Sequence, residues 1–294
     1  MRFAPAPPLT AGDTVAVVAP SGPFERAIFE RGLERLSARY RVELGAHLFD
    51  SRRYLAGDDA ARRADLLWAL EAPSVRAIFA ARGGYGLARL LPGFPPPRKV
   101  LVGFSDFTAA HLAAQAHGLR SLHAPVVTQL GSQPLSVVAR LFDALEGRPL
   151  EPLAGTRTVV PGTVEGPLVG GNLAMLASLA GTPFLPSFDG AVVLLEDVGE
   201  RPYRLDRLWT QLRLAGVLKG VVGVVLGDFT GCEEKDAPYT SADVLDELAG
   251  ELGVPCAAGF PIGHGTVNQP VPLGAKVRLE ADARRVSFLE GVTA

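Results

Sequence analysis

The stretch Val100-Leu101-Val102-Gly103-Phe104-Ser105-Asp106 joins a short apolar run to the start of a helix through a tight turn. A continuous apolar run of this length is typical of a strand that is covered on both faces, as in parallel sheets. Residues 108–117 then follow a helical pattern, and Gly118 marks its end. A serine on such a turn lies at the carboxyl edge of the sheet, beside the free N–H groups of a helix N-terminus.

Ser105 is therefore a candidate nucleophile. The N–H groups and the positive dipole end of the following helix stabilise a developing oxyanion. The usual Gly-x-Ser-x-Gly pattern is not met, because Phe107 stands where the second glycine is expected. The alternative interpretation is that Ser105 or Asp106 only caps the helix, since both residue types are preferred at that position.

The surrounding sequence predicts the fold class. Strand patterns alternate with helical ones, which favours a doubly wound parallel α/β domain. Prolines and glycines then become frequent, and we place a domain boundary there. The predicted units are an N-terminal α/β domain at 1–150, a linker at 151–167 and a C-terminal β/α domain with a mixed sheet at 168–294.

Composition excludes several classes of protein. The net charge of −2 and the lack of a basic run argue against a nucleic-acid partner. Two cysteines, Cys232 and Cys256, cannot form a disulfide framework, and this low count fits a reducing cytosol. We find no signal peptide and no apolar run long enough to span a bilayer. We therefore expect a cytoplasmic protein without a membrane partner.

A glycine-rich segment, Arg82-Gly83-Gly84-Tyr85-Gly86, follows a second predicted strand. Glycines let the backbone approach a ligand closely, and neighbouring parallel strands end at the same sheet edge. The segment is thus a candidate second oxyanion donor beside Ser105. It lacks the spacing of a dinucleotide or phosphate loop, and an ordinary glycine-rich turn is the alternative.

Two further residues complete a possible catalytic set. Glu196 follows the apolar run 192–195, where a carboxylate can orient a histidine. Asp197 and Glu200 compete for this role, and a solvated loop acid is the alternative. His264 lies between two glycines in a loop and is sterically free to reach a ligand. The chain order Ser, acid, His occurs in unrelated triad enzymes.

Of the other histidines, His47 and His117 are expected at the surface, and His111 on a predicted helix is expected to be structural, whereas His123 could line a pocket. Neither the histidines nor the cysteines have metal-ligand spacing, so we expect no metal and no cofactor.

Several segments, taken together and in this order, resemble the LD-carboxypeptidase family of serine peptidases. This family includes murein tetrapeptide carboxypeptidases and microcin C immunity peptidases. The resemblance runs nearly end to end. It is carried by residues 17–22, 82–86, 103–108, 123–125, 170–173, 195–200, 202–207 and 263–265, with Asn268 and Pro270.

The resemblance implies a triad of Ser105, Glu196 and His264. It also implies a flavodoxin-like or glutaminase-like N-terminal domain, a swivelling β/α C-terminal domain, an active site between them and a homodimer. One departure is Phe104, where the family often has Tyr.

By analogy with the family, the substrate is a cytoplasmic muropeptide tetrapeptide that loses its terminal D-Ala. The N–H of Asp106 and one from Gly83-Gly84 would hold the oxyanion. Candidates for binding the substrate carboxylate are Arg82, Asn172 and Arg204.

Three alternatives stay open at this point. A peptidase of the immunity type would cleave a peptidyl or aminoacyl nucleotide, and an aromatic loop residue stacked on the base would mark it. Trp68 and Trp209 both fall on predicted helices, where core packing explains them better. A non-catalytic ligand-binding protein would also use a glycine-rich sheet edge. A glutamine amidotransferase is disfavoured, because that chemistry uses a cysteine where this chain has Ser105.

Overall fold

Two sheets organise the chain in the computed structural model, which describes residues 2–294. The strands are β1 (Thr14–Val18), β2 (Arg41–Leu44), β3 (Val75–Ala80), β4 (Val100–Gly103), β5 (Ser121–His123), β6 (Leu153–Ala154), β7 (Arg157–Val160), β8 (Thr163–Asn172), β9 (Val192–Val198), β10 (Gly223–Thr230), β11 (Cys256–Ala258), β12 (Val271–Leu273), β13 (Lys276–Glu280) and β14 (Arg285–Phe288). The helices are α1 (Arg26–Ser37), α2 (Asp59–Glu71), α3 (Thr108–Ala116), α4 (Val127–Leu130), α5 (Leu135–Leu145), α6 (Leu173–Leu179), α7 (Pro202–Leu214) and α8 (Ser241–Leu252).

The first sheet has six strands in the order β12-β5-β4-β3-β1-β2. All neighbouring pairs are parallel except β12 with β5. Alternate side chains of β1 pack into two cores: Val15 and Val17 join one that contains Phe29 of α1, and Val18 joins one that contains Leu66 of α2. Burial on both faces explains why these strands are continuously apolar, and the predicted doubly wound α/β fold is confirmed.

The second sheet has eight strands in the order β6-β14-β13-β8-β9-β10-β11-β7. Its central strands β8 to β11 are parallel, and the strands on either side are antiparallel. It is therefore the mixed sheet that the sequence predicts.

The segment between the two predicted domains differs from the expected linker. Residues 151–167 contain β6, β7 and the start of β8, which are strands of the second sheet. Pairing supplies the reason, because β6 pairs with β14 and β7 with β11, roughly a hundred residues later in the chain. Short strands with distant partners leave no local pattern that distinguishes them from a Pro- and Gly-rich connection.

The C-terminal part of the chain also returns to the first sheet. β12 pairs antiparallel with β5, with Val271 opposite His123, before β13 rejoins the second sheet. Residues 259–270, between β11 and β12, therefore cross from one sheet to the other.

The helix that follows Ser105 belongs to a core shared by both units. Phe107 and Leu112 lie in the same buried cluster as Leu173 and Leu176 of α6. The nucleophile helix and the second unit therefore pack against each other. None of the helices within residues 2–294 is both long and apolar enough to cross a bilayer.

Candidate active site

Ser105 occupies a strained turn at the end of β4. Phe104 is extended, with φ −159°, and Ser105 then adopts φ +64° at the start of a 3₁₀ turn, Ser105–Phe107, that leads into α3. A left-handed conformation costs a non-glycine residue roughly 1–3 kcal/mol and persists only where the surroundings enforce it. This is the conformation expected of a nucleophile elbow, and capping alone does not require it, because ordinary N-cap residues are extended.

Asp106 anchors the elbow from below. Its carboxylate is buried, and Oδ2 accepts hydrogen bonds from the Ser21 hydroxyl at 2.6 Å and the Leu87 N–H at 2.9 Å. Burial raises the pKa of this carboxyl, although both hydrogen bonds oppose the rise. The side chain thus ties the turn to the loops after β1 and β3. Only the backbone N–H of Asp106 can serve the predicted oxyanion role.

The glycine-rich loop lies directly against the serine. A Cβ on Gly83 would lie 2.9 Å from both Cβ and Oγ of Ser105 and 3.8 Å from the N atom of Asp106. Gly84 has φ +114°, a conformation open to glycine. The two predicted oxyanion donors, Asp106 and the Gly83-Gly84 loop, are therefore side by side at the sheet edge.

Glu196 and His264 form a hydrogen-bonded pair. β9 places Glu196 in the interior with no solvent exposure, and Oε2 lies 2.6 Å from Nδ1 of His264. Gly263 has φ +121°, and a Cβ there would lie 2.6 Å from the same carboxylate oxygen. Only glycine at this position lets the histidine loop lie flat on Glu196.

Burial and the hydrogen bond between the two residues shift the pKa of each in opposite directions. Burial raises the pKa of Glu196, while the hydrogen bond from His264 opposes the rise. Burial alone would lower the pKa of His264, but the hydrogen bond and charge of Glu196, with Asp197 and Asp228, outweigh it and raise the pKa. With Nδ1 held by the carboxylate, Nε2 is the ring nitrogen left for a hydroxyl.

Ser105 and His264 face one cavity of about 370 Å³. The ring of Phe104 packs against the imidazole of His264, with centroids 4.7 Å apart. The hydrogen bonds of residues 2–294 include none between the serine hydroxyl and this imidazole, and such contacts often tighten only when substrate binds. The cavity is lined by Arg82, Gly83, Gly84, Phe104, Ser105, Val126, Thr128, Gln129, Val198 and His264.

The three candidates for carboxylate binding lie in different places. Arg82 is exposed, lines the cavity and donates a hydrogen bond to the Pro23 carbonyl. Asn172 is outside the lining: its side chain caps α6 at Met175 N and donates to Asp197 at 3.0 Å. Arg204 is also outside the lining, and pairs with Glu200 at 3.1 Å on the exposed side of α7.

His123 does not line the cavity, contrary to the expectation from its sequence position. It is fully buried beneath the site, and burial holds its pKa well below the usual value. His111 is also buried and contacts the Gly103 carbonyl at 2.8 Å, with its pKa lowered by burial to about 4.

Four residues that line the cavity escaped the sequence analysis. Val126, Thr128 and Gln129 follow β5, and Val198 ends β9. The first three follow a neighbour of β4, the strand that carries Ser105, and Val198 ends β9, the strand that carries Glu196. The sheet-edge rule that selected the catalytic candidates could therefore have found them.

Comparison with known proteins agrees with this architecture. The LD-carboxypeptidase N-terminal domain matches residues 15–124, and the LD-carboxypeptidase C-terminal domain matches residues 165–279. A Synechocystis sp. protein that is provisionally named a carboxypeptidase is 41% identical, over 96% of each chain. The murein tetrapeptide carboxypeptidase of Pseudomonas aeruginosa is 35% identical, over 92% of this chain and 94% of its own.

Solved structures show the same fold. The muramoyltetrapeptide carboxypeptidase of Oxalobacter formigenes superimposes with a TM-score of 0.84 at 29% identity, covering 94% of this chain and 97% of its own. The Escherichia coli microcin C7 self-immunity protein MccF is 24% identical in sequence over 97% of this chain and 95% of its own. Two domain matches and relatives that align over nearly the whole length establish that the chain belongs to the LD-carboxypeptidase family.

Proposed function

We propose that this chain is a serine-type LD-carboxypeptidase that hydrolyses an L,D-amide bond and releases the terminal D-Ala of a cytoplasmic murein tetrapeptide. The observation that carries the proposal is the strained Ser105, at φ +64°, in one cavity with His264, whose Nδ1 pairs with the buried Glu196. The Pseudomonas aeruginosa relative, whose name states murein tetrapeptide carboxypeptidase, supports the choice of substrate.

The proposed reaction begins when Nε2 of His264 takes the proton of the Ser105 hydroxyl, while Glu196 holds the Nδ1–H and stabilises the imidazolium. The serine oxygen attacks the carbonyl carbon of the scissile amide. The N–H of Asp106 and one from Gly83-Gly84 hold the oxyanion. As the intermediate collapses, His264 gives the proton to the leaving amine. A water molecule, deprotonated by the same imidazole, then hydrolyses the acyl-enzyme.

A carboxypeptidase also needs a group for the free carboxylate of its substrate. Of the three candidates, Arg82 is the one that lines the cavity, and its guanidinium is a fork-shaped donor suited to a carboxylate. Asn172 and Arg204 lie outside the lining and contact the carboxylates of Asp197 and Glu200, whereas the hydrogen-bond partner of Arg82 is the Pro23 carbonyl. We therefore assign carboxylate binding to Arg82.

A second candidate function is cleavage of a peptidyl or aminoacyl nucleotide with the same triad. The 24% identity to MccF over nearly the whole chain supports this second candidate. The higher identity to the murein enzyme, 35%, favours the tetrapeptide. A purely ligand-binding protein would have no use for a strained serine beside a paired imidazole.

The test is incubation of the purified protein with a murein tetrapeptide and, separately, with an aminoacyl-adenylate analogue, followed by product mass measurement. We expect loss of D-Ala from the tetrapeptide, and no loss with Ser105→Ala. Retained D-Ala release by the pure variant would eliminate the serine mechanism. Cleavage of the nucleotide alone would transfer the assignment to the second candidate.

The proposal extends to location and assembly. We propose a cytoplasmic homodimer, as the family resemblance implies. Cell fractionation tests the location, and light scattering of the purified chain measures its mass against the 30.9 kDa of one copy.

A further inference from the structure

The loop that carries His264 is held by a residue of the N-terminal unit, which also carries Ser105. His264 lies in residues 259–270, which cross between the sheets without regular secondary structure. A base carried on a crossing segment needs a fixed contact with the unit that carries the nucleophile, because misplacement by about 1 Å costs about 100-fold in rate.

Gln133, between α4 and α5, supplies such a contact. Its side chain is 97% buried, since only 3% is exposed, and Oε1 accepts a hydrogen bond from the Asn268 N–H at 3.0 Å. Its Nε2 approaches the Thr266 carbonyl at 3.4 Å. Arg35 in turn donates to the Gln133 carbonyl, which fixes the backbone of the glutamine.

Asn268 also bonds to the backbone next to the catalytic histidine. Its Oδ1 accepts a hydrogen bond from the Gly263 N–H at 2.9 Å, directly before His264. Asp228 lies against Gly265, directly after the histidine, with its carboxylate where a Cβ on that glycine would be. The amide before the imidazole is therefore held by the buried Asn268, and the half-buried Asp228 packs on the residue after it.

We propose that Gln133 is a positioning residue, which sets His264 against Ser105 through Asn268 across the boundary between the two units. Gln133 is outside the cavity lining, so it acts on the base and leaves substrate contacts alone. This inference rests on the proposed peptidase function.

The test compares Gln133→Met with Gln115→Met. Gln115, near the end of α3, is equally buried at 3% exposure, and within residues 2–294 neither polar atom of its side chain has a hydrogen-bond partner. We expect Gln133→Met to lower kcat by about 10- to 100-fold with KM within about twofold, and Gln115→Met to leave both unchanged.

Two readouts do not require turnover. Histidine-labelled NMR titration is expected to show a lower His264 pKa in Gln133→Met, because a loosened loop weakens the bond to Glu196. In the wild-type protein, the N–H groups of Gly263 and Asn268 should exchange with solvent as slowly as those of the central strands. An unchanged kcat and titration in Gln133→Met, or fast exchange of these two amides, overturns the positioning role. If the wild-type protein does not cleave the tetrapeptide, but the Gly263 and Asn268 amides exchange slowly and Gln133→Met lowers the His264 pKa, the assigned substrate is wrong and the positioning role stands.

Discussion

Gly83→Ala tests the close approach of the glycine-rich loop to the nucleophile. The new methyl group would lie 2.9 Å from Oγ of Ser105, about 0.5 Å inside the 3.4 Å at which ordinary contacts begin. Gly83 does not have a left-handed φ, so alanine fits its backbone and the fold should persist. The strain must therefore be relieved by a shift of the serine or of the loop.

The expected effect follows from that displacement. A shift of several tenths of an ångström in both nucleophile and oxyanion donor lowers kcat/KM by about 100-fold, equivalent to about 2.7 kcal/mol of transition-state stabilisation. The assay is D-Ala release under kcat/KM conditions, with urea unfolding measured in parallel. We expect a loss of stability of about 1–3 kcal/mol from overpacking.

Gly250→Ala is the matched control. A Cβ at this helical glycine meets nothing within 4 Å, so activity should be unchanged and stability should rise by about 1 kcal/mol. Wild-type activity in a folded Gly83→Ala variant would refute the placement of the loop against Ser105.

Two further predictions concern the serine and the acid. Ser105→Gly should abolish activity yet exceed Ser105→Ala in stability by about 1 kcal/mol, because glycine adopts φ +64° without strain; equal urea midpoints would contradict the strained turn. Glu196→Gln should lower kcat by about 1000-fold or more and move the acid limb of the kcat/KM–pH profile to lower pH. The shift is downward because His264 must be neutral to act as a base and Glu196 raises its pKa. Without the carboxylate charge, burial lowers that pKa. An acid limb of the profile that stays in place would argue against the pairing.

Local sequence patterns were sufficient for β1, β3 and β4 of the first sheet, and for selecting Ser105, Glu196 and His264 as candidate catalytic residues. The strand before Ser105, the apolar run before Glu196 and the glycines around His264 each placed a reactive residue at the end of a strand or in a loop. Ser105 follows a strand of the first sheet and Glu196 lies in a strand of the second, so the sheet-edge rule does not bring them together; their convergence with His264 was an expectation from the family resemblance. The membership of the family is confirmed by the comparisons, while the catalytic roles stay predictions.

Strand pairs and contacts between residues far apart in the chain could not be predicted from local patterns. β12 was unpredictable because its partner β5 lies about 150 residues earlier, and β2 is a short, mostly exposed edge strand. The contact of Gln133 with Asn268 spans 135 residues, and nothing in either neighbourhood marks it. Asn172 was a candidate for the substrate carboxylate because its side chain is an amide, yet it caps α6 and donates a hydrogen bond to Asp197. Tertiary packing decides which hydrogen-bond partners such a side chain finds.

The most direct test of the central claim is to capture the acyl group on the enzyme. The wild-type protein is mixed with an ester analogue of the tetrapeptide, whose good leaving group makes deacylation the slow step, and is then quenched in acid for peptide mass mapping. We predict an added mass equal to the substrate minus its leaving group, confined to the peptide that contains Ser105 and absent from His264→Ala at short times. Rapid product release with no adduct on Ser105, at an undiminished rate in Ser105→Ala, would contradict the convergence of Ser105, His264 and Glu196 in one catalytic site.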